Sequence, residues 1–316
     1  MKHIQGKLTT WLLSVNEANS GYFNIQSKLF VKQENSRLLS FTWVILALSV
    51  IIFPVYSSAS NGDDLVQAAH AGNLPKVRSL LMKGANINQI GSKGKTPLMA
   101  SSGEGHMEVV EFLLDNGAKV NLQPKKSLTS LMLASLKGHT GIVHALLAKG
   151  AEVNHEAKGG FTALIFASLH GHTGIVDALL KKFAKVNQQS RDGFTALVFA
   201  SQGGHGGAVK SLLDKGAEVN HQTKKAVTTA LVLASEGGHG EIVKALLDNG
   251  AKIDHQTKKG YTALMKASAY GYTEIVLILM DRGANLNLKN IHGATAEKLA
   301  RQPHITTILK AASAMK

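Results

Sequence analysis

Apolar positions repeat along most of this chain. Ile142, Val143, Leu146 and Leu147 form one cluster, and Ile242, Val243, Leu246 and Leu247 form another. The i, i+1, i+4, i+5 spacing puts each set on one side of an α-helix. A shorter apolar run precedes each cluster, opened by a Thr with Leu two residues later. These threonines are Thr96, Thr129, Thr162, Thr195, Thr229 and Thr262, spaced 33, 33, 33, 34 and 33 residues apart. Ten residues after each Thr stands His106, His139, His172, His205, His239 or Tyr272, always preceded by Gly. Gly-Ala closes the second apolar run at 84–85, 117–118, 150–151, 216–217, 250–251 and 283–284, followed by pairs such as Val120-Asn121.

The residue types predict one structural unit repeated along the chain. Thr ahead of an apolar run caps a helix by accepting a backbone N–H bond. Gly before His permits a tight turn into a second, antiparallel helix. Gly after that helix closes it in the left-handed conformation. Each unit is therefore helix, turn, helix and a hairpin finger. No single unit can bury its own apolar face, so the units must stack.

These motifs resemble the ankyrin-repeat family. Thr96-Pro97-Leu98-Met99 is similar to its Thr-Pro-Leu-His signature, and Thr162-Ala163-Leu164, Thr195-Ala196-Leu197 and Thr262-Ala263-Leu264 keep the Thr and Leu. The resemblance covers about residues 61–316 and implies an all-α solenoid of stacked helix-turn-helix units with hairpin loops. It reads as an N-terminal cap at 61–88, six repeats over about 89–287 and a C-terminal cap at 288–316, where the Gly-His pair has become Pro303-His304. Two departures stand out. Lys182-Phe183-Ala184 replaces Gly-Ala in the third repeat, so Phe183 is expected in a strained left-handed conformation. One extra residue lies between Asn220 and Thr229, and it is expected to push that finger out of line.

The N-terminus follows a different pattern. Residues 1–37 form a basic region, and Leu38 to Tyr56 is apolar apart from Ser40, Thr42, Ser49 and Pro54. Nineteen such residues suffice for a membrane-spanning helix at about 1.5 Å per residue. Residues 38–60 read as a signal peptide cut near Ser57-Ser58-Ala59 or as an uncut membrane anchor; a buried core helix fits less well because the segment has no polar face. Lys28, Lys32 and Arg37 precede the segment, which orients everything after it away from the cytoplasm. The repeats are therefore expected to be periplasmic or secreted, or held outside the cytoplasm by the anchor.

Chemistry narrows the function by exclusion. The chain has no Cys, so disulfides, thiolate metal sites and cysteine nucleophiles are ruled out. His170 and His172 suggest a metal pair, but no third ligand is spaced to join them. Acidic residues are scattered singly, and the Gly-Gly pairs are repeat turns rather than phosphate loops. The sequence thus assigns no catalytic, cofactor or metal residue, and the reading is a non-enzymatic binding scaffold.

Charge points to where that binding occurs. The net charge is +14. Fingers 88–96, 121–129, 154–162, 187–195, 220–229, 254–262 and 287–295 hold eleven positive and three negative side chains. Their cations include Lys125, Lys126, Lys158, Arg191, Lys224, Lys225, Lys258 and Lys259, with Phe161, Phe194 and Tyr261 beside the capping threonines. The family resemblance implies that partners lie against finger tips and exposed first-helix positions, which adds Leu169, His170 and Tyr270. The expected partner is a protein with an acidic surface, and no nucleic acid is expected. The alternatives are a module for anionic lipid headgroups or envelope polymers, and a secreted host-directed effector. His155, His221 and His255 follow the finger-root Asn or Asp and are candidates to add positive charge in acid.

Overall fold

The computed structural model describes residues 63–124 and 128–314. The signal or anchor segment, Lys125 and Lys126 lie outside the described residues. Among the described residues the fold is all-helical, without strands, and no helix is long and apolar enough to cross a membrane. The chain divides into two compact units, one ending at Lys119 and the other beginning at Val120.

Among the described residues, the first unit holds two helix pairs. One pair is a helix over 63–70 and a second at Leu74–Met82; the other is Pro97–Glu104 and Met107–Asp115. Leu65, Ala69, Val77, Leu98, Val109, Val110 and Leu113 are buried between them. The finger between the pairs is held at its root, where the Asn88 side chain accepts the Lys119 N–H at 2.7 Å.

In the second unit each helix pair follows the 33-residue pattern. The first helices are Ser130–Lys137, Ala163–Leu169, Ala196–Gly203, Ala230–Gly237 and Ala263–Tyr270, with Ala296–Leu299 in the last pair. The second helices are Thr140–Ala148, Thr173–Lys181, Gly206–Asp214, Gly240–Asp248, Thr273–Asp281 and Pro303–Ala314. The threonines cap as expected: Thr129, Thr162, Thr195, Thr229 and Thr262 accept N–H bonds from Met132, Ile165, Val198, Val232 and Met265 at 3.2–3.5 Å. First helices pack on one another along the stack, which is why Ala163 to Ser168 are all buried. Second helices bury one side only, such as Ile175, Val176, Leu179 and Leu180, and leave Lys181 exposed. Ser135, Ser168, Ser201, Ser235 and Ser268 recur at one register position with no exposed surface. Their small side chains allow close helix approach, while their hydroxyls have no protein hydrogen-bond partner.

The histidines of the Gly-His turns tie neighbouring repeats together. His172 Nε2 lies 3.3 Å from the Leu136 carbonyl, His205 Nε2 lies 3.1 Å from Leu169 O, and His239 Nε2 lies 3.2 Å from Gln202 O. A carbonyl only accepts, so each Nε2 carries the proton and donates. The ring rests against the Gly of the preceding repeat. At Gly171 the backbone is left-handed (φ +71°), and a Cβ there would lie 2.4 Å from His205 Nδ1. Glycine is therefore required twice over, by its conformation and by the space the next repeat's ring takes up.

Both departures from the repeat pattern are visible. Phe183 has φ +60° and its side chain is 88% exposed. Its N–H donates to Leu180 O at 3.1 Å, the bond that Gly216 makes to Leu213 O in the next repeat. Phe183 thus carries the left-handed strain without packing to offset it. Phe183→Gly is expected to raise stability by about 1–2 kcal/mol, measured by thermal or urea unfolding. An unchanged or lower melting temperature would contradict this. The extra residue in finger 220–229 corrects the expectation of a displaced finger. Val227 takes φ +50° and donates to Thr223 O at 3.0 Å, turning the surplus residue back within the finger. The Ala226 and Val227 carbonyls still accept from Lys258 N and His255 Nε2 at 2.9 and 2.7 Å, so the finger stays in line with the next one.

Candidate functional site

The fingers of the second unit are rooted by side-chain amides. Asn121, Asn154, Asn187 and Asn220 accept backbone N–H bonds from Glu152, Lys185, Glu218 and Lys252 at 2.7–2.8 Å. Asp254 takes the same role toward Asn285 N at 2.8 Å. Each bond joins one finger to the repeat after it, so the roots form a continuous chain.

Above the roots the fingers are joined again through the backbone. Arg191 N–H donates to Gly159 O at 2.7 Å, Lys224 N–H to Asp192 O at 3.0 Å, Lys258 N–H to Ala226 O at 2.9 Å, and Ile291 N–H to Lys259 O at 3.2 Å. The side chains of Lys158, Arg191, Lys224, Lys225, Lys258 and Lys259 are exposed on this framework. Lys225 Nζ pairs with Asp192 at 2.9 Å, but both groups are well exposed, so that pair adds little stability. Glu156 accepts from Gln188 Nε2 at 2.7 Å, and Asp254 is occupied at its finger root. Glu156 and Asp254 therefore tie neighbouring fingers, while the six cations are exposed.

The aromatic residues beside the threonines pack at the finger bases. Phe161, Phe194 and Tyr261 are half-buried. Phe161 stacks at 5.3 Å on Phe166 and lies 6.0 Å from Phe199, while Phe194 stacks at 4.9 Å on Phe199. Tyr261 lies under Lys266 Nζ at 4.8 Å. Their rings close the base of the fingers against the first helices.

The exposed ends of the first helices carry a second group. Leu169 is half-buried, and its carbonyl receives the His205 bond. His170 is exposed and stacks at 6.0 Å on His172. Partial burial of the ring, then His172, His205 and Lys137, lower its pKa from the ordinary histidine value and favour its neutral form. Tyr270 is exposed and donates to Glu236 Oε1 at 3.1 Å. The Glu236 charge, then burial and that bond, hold the Tyr270 hydroxyl above its usual pKa. Lys266 Nζ reaches the same Glu236 oxygen at 3.2 Å. Sequence reasoning named Tyr270 but not this Lys266–Glu236–Tyr270 link, whose members lie 30 and 34 residues apart.

The finger histidines have structural partners. His221 and His255 donate through Nε2 to Gly193 O and Val227 O at 2.8 and 2.7 Å, and His155 Nδ1 lies 2.8 Å from Glu152. Among the described residues no group of three or more His, Asp or Glu is placed to hold a metal ion.

A family model described as ankyrin repeats (3 copies) matches residues 65–157, 131–223 and 220–290. The chain belongs to the ankyrin-repeat family. Among solved structures it is similar to the human ASB11 ankyrin repeat domain, with 30% identity and a TM-score of 0.63 over 69% of this chain and 98% of that one. It is also similar to the ankyrin repeat domain of Bcl-3, a member of the IkappaB protein family, at 29% identity and TM-score 0.59, covering 69% of this chain and 99% of the other. A comparison with curated proteins found no match. Ankyrin-repeat domains are typically non-enzymatic interaction modules, and these repeats make the chain a protein–protein interaction scaffold.

Proposed function

We propose that this ankyrin-repeat protein is a non-enzymatic scaffold that holds a partner with an acidic surface, through the finger cations and the exposed ends of the first helices. The observation that carries the reading is the set of outward-facing cations at Lys158, Arg191, Lys224, Lys225, Lys258 and Lys259 on fingers joined backbone to backbone. Successive fingers lie about 10 Å apart, one helix-packing distance. That is close to the Debye length of about 8–10 Å at physiological salt, so neighbouring tips act together on an anionic surface. The apolar run from Leu38 to Tyr56, with Lys28, Lys32 and Arg37 before it, supports a position for the repeats outside the cytoplasm, either released or membrane-held.

The test replaces these six cations by Gln in the full chain and measures capture of the partner recovered by crosslinking in living cells. Capture is expected to fall by about tenfold or more. Undiminished capture would contradict the proposal, as would transfer of the charge-dependent binding to vesicles of anionic lipid with no protein recovered.

A further inference from the structure

We infer that the partner presents an extended acidic segment, laid across the fingers with a carboxylate at every third residue. This rests on the acidic-partner reading and adds the form and register of what is bound. Lys158, Arg191, Lys224 and Lys258 each stand four residues after the Asn or Asp at the root of their finger, and all four are exposed. Among the described residues they form one column at one register position.

The column is held in place by the backbone. The N–H groups of Arg191, Lys224 and Lys258 are bonded to carbonyls of the preceding finger at 2.7–3.0 Å. The residues joined, 159 to 191, 192 to 224, 226 to 258 and 259 to 291, are 32 apart in every case. The extra residue of finger 220–229 falls after Lys224 and is turned inward at Val227, so it does not break the column. Asp192 is matched by Lys225, and Lys259 stands next to the column as a further exposed cation.

Spacing then selects the ligand's form. Fingers separated by about 10 Å meet an extended chain that advances about 3.3 Å per residue, so one finger is crossed every third residue. A helix advances only about 1.5 Å per residue and brings its acids back to one face on a different count. At the next register position the column ends in Ile291, which is 63% exposed. A matching segment therefore carries four acidic residues at three-residue steps and an apolar residue one step further on.

Fluorescence anisotropy with the full-length protein and two labelled synthetic peptides tests this. One peptide has Glu at every third position and Leu at the next step; the other has the same composition with its Glu residues contiguous. The periodic peptide is expected to bind about tenfold more tightly or better. Replacing Lys158, Arg191, Lys224 and Lys258 by Gln should abolish the preference. Replacing Lys181 and Lys210 in the second helices, with Lys182 and Lys215 just after them, removes equal charge and should leave it intact. Equal binding of the two peptides would overturn the inference, and so would tighter binding of a sulfated polysaccharide than of the periodic peptide. If neither peptide binds while the crosslinked partner is still captured through the finger cations, the extended-segment inference falls and the acidic-partner reading stands.

Discussion

Gly171→Ala is expected to destabilise the protein by about 2–5 kcal/mol, read from urea unfolding of the full chain. Two separable costs add up to this. A left-handed backbone costs a residue with a Cβ about 1–2 kcal/mol, and Gly171 sits at φ +71°. Forcing a methyl group into a filled space costs about 1–3 kcal/mol, and the new Cβ would meet the His205 ring at 2.4 Å. A double mutant separates the two. In a His205→Ala background the steric cost should largely vanish while the backbone cost remains, giving a coupling of about 1–3 kcal/mol. A Gly171→Ala cost below about 1 kcal/mol, or one unchanged by removing His205, would refute the view that the Gly-His pairs lock repeat to repeat.

The second large effect is expected at Phe199. Its ring is 3% exposed and packs on both Phe194 and Phe161, at 4.9 and 6.0 Å. Phe199→Ala is expected to cost about 3–5 kcal/mol by cavity formation and lost transfer energy. The loss falls at the interface between two repeats. In a solenoid, stability is a sum over repeats and their interfaces, so unfolding should become less cooperative, with a shallower transition. Phe199→Leu should retain more than half of the lost stability. A cost for Phe199→Ala below about 1 kcal/mol would show that the packing of Phe161 and Phe194 does not depend on it.

The repeat itself was legible because it is written in local chemistry. Thr caps, Gly turns and apolar spacing each fix their own few residues, and six copies reinforce one reading. Phe183 was legible for the same reason: it occupies a position where the other repeats carry Gly, and the conformation followed. What escaped the sequence depends on residues about one repeat apart. The Nε2 bond of His205 goes to Leu169 O, 36 residues back, and the Asn154 bond goes to Lys185 N, 31 residues on. The finger with the extra residue was misread because Val227 accepts a left-handed conformation that sequence alone disfavours, and the ladder bonds outweigh that local strain. Phe161 and Phe194 looked like surface aromatics from their place beside Lys and Arg. Their stacking on Phe166 and Phe199 depends on which neighbouring helix lies beneath them. The cation column was half legible: charge counting found the fingers, while the backbone bonds that align them appear only in the fold.

The central claim is that the finger cations hold an acidic partner, and the salt dependence of partner capture tests it most directly. Wild type and the six-Gln variant are compared as salt rises from about 0.1 M to about 1 M, which shortens the Debye length from roughly 10 Å to roughly 3 Å. The account predicts that wild-type capture weakens steeply with salt, and that the variant captures weakly at every salt with little further loss. Equal capture by both proteins, unchanged across the salt range, would contradict it.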